Sequence, residues 1–341
     1  MSSRFIALVA ACVLLCASPP GITAMPQQVD PFITEGGIRD IKISPTGEYL
    51  AMSVRVDGQT SLVVRKTRGD GKPTGVMRFT RNTHVHDFWW VNGERIVMSI
   101  AETFGTRDDP VPTGELYAMN ADGGRRQLLV GFRATGPQFG SRIGVRKEGD
   151  LAAFLIDTLP HDRDHVLVKL RPFTKDPVTY VARLNVYDGR RTRVTAVSVL
   201  EADYMTDSRG RVRLGVGSMS DNYSQLFHRK DDDSPWELVN HERESGSVMR
   251  PIGFAADDVT AYLRVTQPSG PDRIIAWNTD TGERREVAGD DVVDPFPVYD
   301  PGTGRSVPVI SARVPGPGSS IHRVPRRGCS RCWSGPSRTR W

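Results

Sequence analysis

The stretch Ile43–Val56 reads ISPTGEYLAMSVRV. Ser44, Pro45, Thr46 and Gly47 are turn residues, and Gly47 tolerates positive φ. After the turn the side chains alternate. Tyr49, Ala51 and Ser53 share one side; Leu50, Met52 and Val54 share the other. A period of two marks a strand. The same order, a turn ahead of an alternating or apolar run, recurs at Trp89–Glu102, Leu159–Arg171, Met205–Ser218 and Phe254–Gln267. A second motif follows some of these: ELYAMNADGGRRQLLV (Glu115–Val130), ARLNVYDGRRTRVTAV (Ala182–Val197) and RIIAWNTDTGERREVA (Arg273–Ala288). Each has an apolar run, an Asp near a Gly, an Arg pair and a second strand. Asp and Gly predict a tight hairpin turn. The Arg pair opens the outgoing strand on its solvated side.

The turns repeat. Gly47 and Gly93 lie 46 residues apart, and Gly210 and Asp258 lie 48 apart. One such unit holds about four short strands, the size of a propeller blade. No ten-residue stretch reads as an amphipathic helix. The expected fold is all-β, a β-propeller with about five to six blades in view. An array of immunoglobulin-type sandwiches is the alternative, but its domains run to about 100 residues.

The order of these motifs resembles the exported bacterial peptidases of the prolyl oligopeptidase family. IRDIKISPTGEYLAMSVRVDGQTSLVV, HDFWWVNGERIVMSI, ELYAMNADGGRRQLL and LPHDRDHVLVKLR carry the resemblance. It runs from about Val29 to Ser311. The resemblance implies a propeller followed by an α/β-hydrolase domain with a Ser-Asp-His triad, the propeller admitting only short peptides. The chain departs from that pattern. No serine has glycine two residues before and two after it, so the G-x-S-x-G elbow is missing. The nearest miss is Gly335-Pro336-Ser337-Arg338-Thr339. A hydrolase domain would need roughly 200 residues.

The two ends read differently from the body. MSSRFIALVAACVLLCASPPGITA places Arg4 ahead of an apolar run from Phe5 to Ala17, then small residues. That order predicts a signal peptide over residues 1–24, with export to the periplasm or the medium. The run is too short to span a bilayer comfortably. Lipidation at Cys12 or Cys16 is the alternative. At the other end, residues 314–341 carry six arginines and no acid, so without them the formal charge of +5 falls to −1. The body therefore gives no electrostatic reason to expect nucleic acid as a partner. The segment reads as a frameshifted, disordered basic tail; a natural basic tail is the alternative.

Candidate chemistry is sparse. His84, His86 and Asp87 lie close together, and on a strand the two histidines would share a face, but spacing places no third metal ligand. Trp89 and Trp90 could wall a ligand; packing between blades is the reading preferred here. Asp231, Asp232 and Asp233 lack the ligand spacing and glycine of a calcium loop and read as a solvated turn. Cys329 and Cys332 form a lone CxxC without a second ligand pair. Gly215-Val216-Gly217 lacks the lysine and following helix of a phosphate loop. No catalytic, cofactor or metal residue is assigned, and no cofactor is expected. The expected function is the non-catalytic propeller portion of a prolyl oligopeptidase-like serine peptidase acting on short peptides, inactive as given. The rival is a stand-alone periplasmic propeller that binds a protein or peptide. A propeller enzyme working in its own channel, such as a lyase or glycosidase, is a third option.

Overall fold

The computed structural model describes residues 37–295 except 81, 106–108 and 133–150, together with the strand backbone of 296–299, 306–307 and 309–311. The expected signal peptide, the basic tail, the CxxC pair and Gly335–Thr339 lie outside the described residues.

Five four-stranded sheets follow one another along the chain. The first holds β1 (Ile38–Ile43), β2 (Tyr49–Val56), β3 (Gln59–Lys66) and β4 (Pro73–Met77). The second holds β5 (Thr83–Trp90), β6 (Arg95–Glu102), β7 (Val111–Asn120) and β8 (Gln127–Val130). The third holds β9 (Leu151–Asp157), β10 (His165–Pro172), β11 (Tyr180–Asn185) and β12 (Arg191–Thr195). The fourth holds β13 (Leu200–Thr206), β14 (Val212–Ser218), β15 (Ser224–His228) and β16 (Glu237–His241). The fifth holds β17 (Val248–Phe254), β18 (Thr260–Thr266), β19 (Arg273–Asn278) and β20 (Arg284–Gly289). A three-stranded sheet of β21 (Phe296–Tyr299), β22 (Ser306–Val307) and β23 (Val309–Ser311) comes next. Within each four-stranded sheet, sequence neighbours pair antiparallel. A one-turn helix, α1 (Glu242–Ser245), links the fourth and fifth sheets.

Each of the five turn-then-strand segments read from the sequence is the first hairpin of a sheet. Each of the three second motifs is the last hairpin of one. The period of two becomes a division of labour between two cores. On β6, Ile96 and Met98 pack toward the first sheet with Leu62, Val64 and Phe88, while Val97 packs toward the third with Val166 and Val168. On β10, Leu167 leaves that core and joins Val181 and Val212 against the fourth sheet. On β14, Leu214 and Val216 turn to the fifth sheet, meeting Leu263 and Trp277. Burying each such side chain stabilises by about 1.5–3 kcal/mol, so the sheets are joined mainly by these serial cores.

Polar staples fix the angle between neighbours. Lys42 Nζ on β1 donates to Asp87 Oδ1 (2.6 Å) and to Phe88 O (2.7 Å), and Trp90 Nε1 returns a bond to Lys42 O (3.0 Å). Tyr204 Oη donates to Thr179 O (2.9 Å), and Thr206 Oγ1 to Asp157 Oδ2 (2.7 Å), across the third and fourth sheets. Backbones touch where the first sheet meets the second. A Cβ at Gly75 would stand 2.7 Å from Gly123 N, which explains a glycine within β4.

Candidate functional site

In an up-and-down sheet the first and third turns emerge at the same end. That end carries two adjoining polar cavities, one of about 580 Å³ on the third sheet and one of about 260 Å³ where the third sheet meets the fourth. The larger lies over His161, Arg163, His165 and Thr192. The smaller has an apolar floor of Leu159, Pro160, Leu167 and Val194, faced by Arg209, Arg211 and Asp232 of the fourth sheet. His161, Asp162 and Arg183 border both.

The turn before β10 is held from several directions. Leu159 takes a left-handed backbone (φ 50°), rare for a bulky residue, and Leu159 N–H donates to Asp157 Oδ1 (2.7 Å). Asp162 N–H donates to Leu159 O (2.7 Å), and Val186 N–H to Asp164 O (2.9 Å). Asn92 of the second sheet donates its side-chain N–H to Arg163 O (2.6 Å). Asp162 accepts from Arg183 Nη2, from Asp164 N–H (3.0 Å) and from His165 Nδ1 (3.1 Å). Burial alone would raise the Asp162 carboxyl, but these hydrogen bonds outweigh it and hold it well below the usual carboxylate range. The ionised carboxylate fixes the proton on His165 Nδ1. Asn185 Nδ2 then donates to His165 Nε2 (3.4 Å), its own Oδ1 being used by Tyr187 N–H and Asp188 N–H.

No protein-family model matches the chain, and no curated protein matches it in sequence. Among solved structures, a prolyl endopeptidase, described for the role of inter-domain dynamics in catalysis and specificity, superimposes with a TM-score of 0.51. Sequence identity is 9%, over 77% of this chain and 38% of that one. The fold is a β-propeller. Dipeptidyl peptidase 4 of Porphyromonas gingivalis gives a TM-score of 0.48 at 9% identity, covering 77% of this chain and 40% of that one. TolB from Acinetobacter baumannii gives 0.40 at 12% identity, covering 76% and 54%. The chain thus spans about two fifths of the length of the two peptidases.

The blades place the residues singled out in the sequence. His84 is buried at the start of β5, where its Nδ1 accepts from Thr60 N–H (3.3 Å) and its Nε2 has no hydrogen-bond partner among the described residues. Burial lowers its pKa, with Arg55 and Arg39 adding to the effect. His86 is exposed, and the register shifts between Val85 and Asp87, so the ideal alternation breaks there. Asp87 is engaged by Lys42. Among the described residues no group of His, Cys, Asp and Glu could hold a metal ion. Trp90 packs in the core between the first two blades, and Trp89 lies against the core between the second and third. Asp231 accepts from Ser234 Oγ (2.6 Å), and Asp232 from Arg229, which closes a turn. The cleft residues themselves were not singled out. Their signal in the sequence is the density of charge in His161-Asp162-Arg163-Asp164-His165, read there only as the lead into a strand.

Proposed function

We propose that this chain is the propeller portion of an exported prolyl oligopeptidase-like serine peptidase. The observation that carries the reading is the propeller likeness, a TM-score of 0.51 to a prolyl endopeptidase over 77% of this chain, reached independently of the motif order in the sequence. In the whole enzyme a serine would attack the peptide carbonyl, a histidine would shuttle the proton and an aspartate would orient the histidine. The propeller's part is to restrict entry to short peptides. This chain offers no G-x-S-x-G serine, so by itself it is inactive as a peptidase. The purified chain is expected to leave proline and acyl-peptide substrates uncut; cleavage above background, lost with no contaminating band, would overturn that.

The reading of origin has a separate test. Sequencing the gene from the codon of Asp300 onward and translating all three forward frames should reveal a frame that continues the strands and reaches G-x-S-x-G. If no frame does, the chain is better read as a stand-alone propeller that binds a partner outside the cytoplasm.

A further inference from the structure

We propose that the paired cavities on the third blade and at its seam with the fourth bind a peptide through a carboxylate that sits beside an aliphatic side chain. The guanidinium groups around the two cavities are unequally engaged. Arg183 is engaged by Asp162, Arg211 by Asp207, and Arg209 lies 3.7 Å from Asp258. Arg163 is exposed, and among the described residues its guanidinium meets no carboxylate or carbonyl. It stands on a backbone that does not move freely, because Asn92 holds its carbonyl and Val186 holds the next one. A cation on a pre-organised turn loses little entropy when it captures an anion.

The surroundings favour a negative partner. Around the rim Arg183 is matched by Asp162, Arg211 by Asp207, Arg209 by Asp258 and Asp232 by Arg229, which leaves Arg163 as the cation over. The two acids do not repel an incoming carboxylate strongly, since Arg183 and His165 occupy Asp162 and Arg229 occupies Asp232. The guanidinium fork of Arg163 matches a carboxylate in two parallel bonds. The second cavity sets the other half of the ligand. Its floor of Leu159, Pro160, Leu167 and Val194 is apolar, and about 260 Å³ admits a side chain rather than a whole drug-sized molecule. His161 borders both cavities, so the carboxylate and the aliphatic group belong to neighbouring positions of one ligand.

The test is calorimetric titration of the full chain with three peptides. Acetyl-Gly-Leu offers a terminal carboxylate, acetyl-Leu-Glu-amide a side-chain carboxylate, and acetyl-Gly-Leu-amide none. At least one carboxylate peptide should bind saturably, and the amide at least about tenfold more weakly. Whichever carboxylate peptide binds tighter identifies the source of the anion. Arg163→Ala should weaken binding about tenfold and Arg163→Glu should abolish it, with the melting temperature of both unchanged because the side chain supports nothing else. Leu167 is buried, so Val194→Asp is the better probe of the floor, and it should weaken the same peptides. Saturable binding by neither carboxylate peptide would overturn the proposal. So would equal binding of the amide, or full affinity in Arg163→Ala.

Discussion

Two buried arginines join blades in this propeller, and they are solvated in different ways. Arg95, fully buried at the start of β6, reaches from the second blade to the third. Its Nε and Nη2 donate to Val186 O (3.0 and 2.7 Å), and its Nη1 to Asn120 Oδ1 (2.8 Å) and Arg125 O (2.7 Å). Every acceptor is neutral. Arg213, on β14, reaches from the fourth blade to the fifth. It donates to Arg229 O (2.8 Å), Asp258 O (3.2 Å) and Thr279 Oγ1 (3.5 Å), and it also faces the buried carboxylate of Asp207 (3.4 Å). Each guanidinium lies over an aromatic ring of the next blade, Tyr187 at 5.0 Å and Phe254 at 5.4 Å. The first latch has short bonds and no counter-ion; burial pushes Arg95 down to about 10, and it stays cationic at neutral pH. The second has longer bonds and a counter-ion. Carbonyl dipoles in good geometry therefore do at one interface what a carboxylate does at the other.

Removing the carboxylate should separate the two most sharply. Asp207→Asn keeps an oxygen for the N–H groups of Arg209 and Arg211 but leaves the buried Arg213, and the half-buried Arg211 at 2.7 Å, without their charge partner. The expected loss is about 3–5 kcal/mol, read as a fall in denaturation midpoint. Hydrogen exchange should quicken in β14 and β18 and stay slow in β6 and β11. Equal quickening at both interfaces would mean that the latches are not independent.

Acid should act on the second latch as well. His228 Nε2 accepts from Arg213 Nη2 (3.2 Å), and the ring meets Trp277 edge-on at 5.2 Å. Burial, with Arg213 beside it, lowers its pKa from 6.5 to about 4. The unfolded chain takes up a proton below pH 6.5 that the folded chain resists until about pH 4. Stability is thus complete above pH 6.5 and falls as the pH drops toward 4, by about 3 kcal/mol in all. His84, lowered in the same direction, adds to the slope from the first interface. His228→Gln should flatten most of the dependence. A slope unchanged in that variant would assign the effect elsewhere.

Much of this architecture is legible in the sequence, and the latches are not. The alternation in Ile43–Val56 and its four repeats locates the first hairpin of all five blades. The last hairpins are visible where Asn120, Asn185 and Asn278 end a strand ahead of Asp and Gly, because the turn is local chemistry. Two are missed. The β3–β4 turn is stretched over Gly69 and Gly71, and the β15–β16 turn is built on Asp231 and Arg229. An arginine at a strand start reads as solvated; what buries Arg95 is a carbonyl 91 residues away. The Arg pairs mislead in the same way, since Arg125 lies 5.1 Å over the ring of Tyr187 in the next blade. The cleft gathers residues of two blades from Leu159 to Asp232, and no spacing rule joins them.

At the first latch the effect should be smaller than at the second. Arg95→Met removes the cation and its desolvation cost together, and leaves Val186 O, Arg125 O and Asn120 Oδ1 short of donors. The expected loss is about 2–3 kcal/mol, without the pH slope that marks the second latch. Arg95→Lys should recover little of it, because one ammonium cannot serve three acceptors set out for a planar fork. A Lys variant as stable as the native chain would show that charge, not geometry, holds this interface.

The finest distinction lies between two asparagines at matching turns. Asn120 Oδ1 accepts from Arg95, whereas Asn278 Oδ1 accepts from Asp280 N–H (3.0 Å) and Thr281 N–H (2.9 Å) within its own turn. Asn278→Ala loses exposed turn bonds and should cost about 0.5–1 kcal/mol. Asn120→Ala withdraws one acceptor from a buried cation and should cost about 1–2 kcal/mol. Combined with Arg95→Met, Asn120→Ala should add almost nothing, while Asn278→Ala should add its full amount, because only the first shares a partner with the arginine. Full additivity for Asn120 would mean that its role ends at its own turn and that the latch rests on Val186 and Arg125 alone.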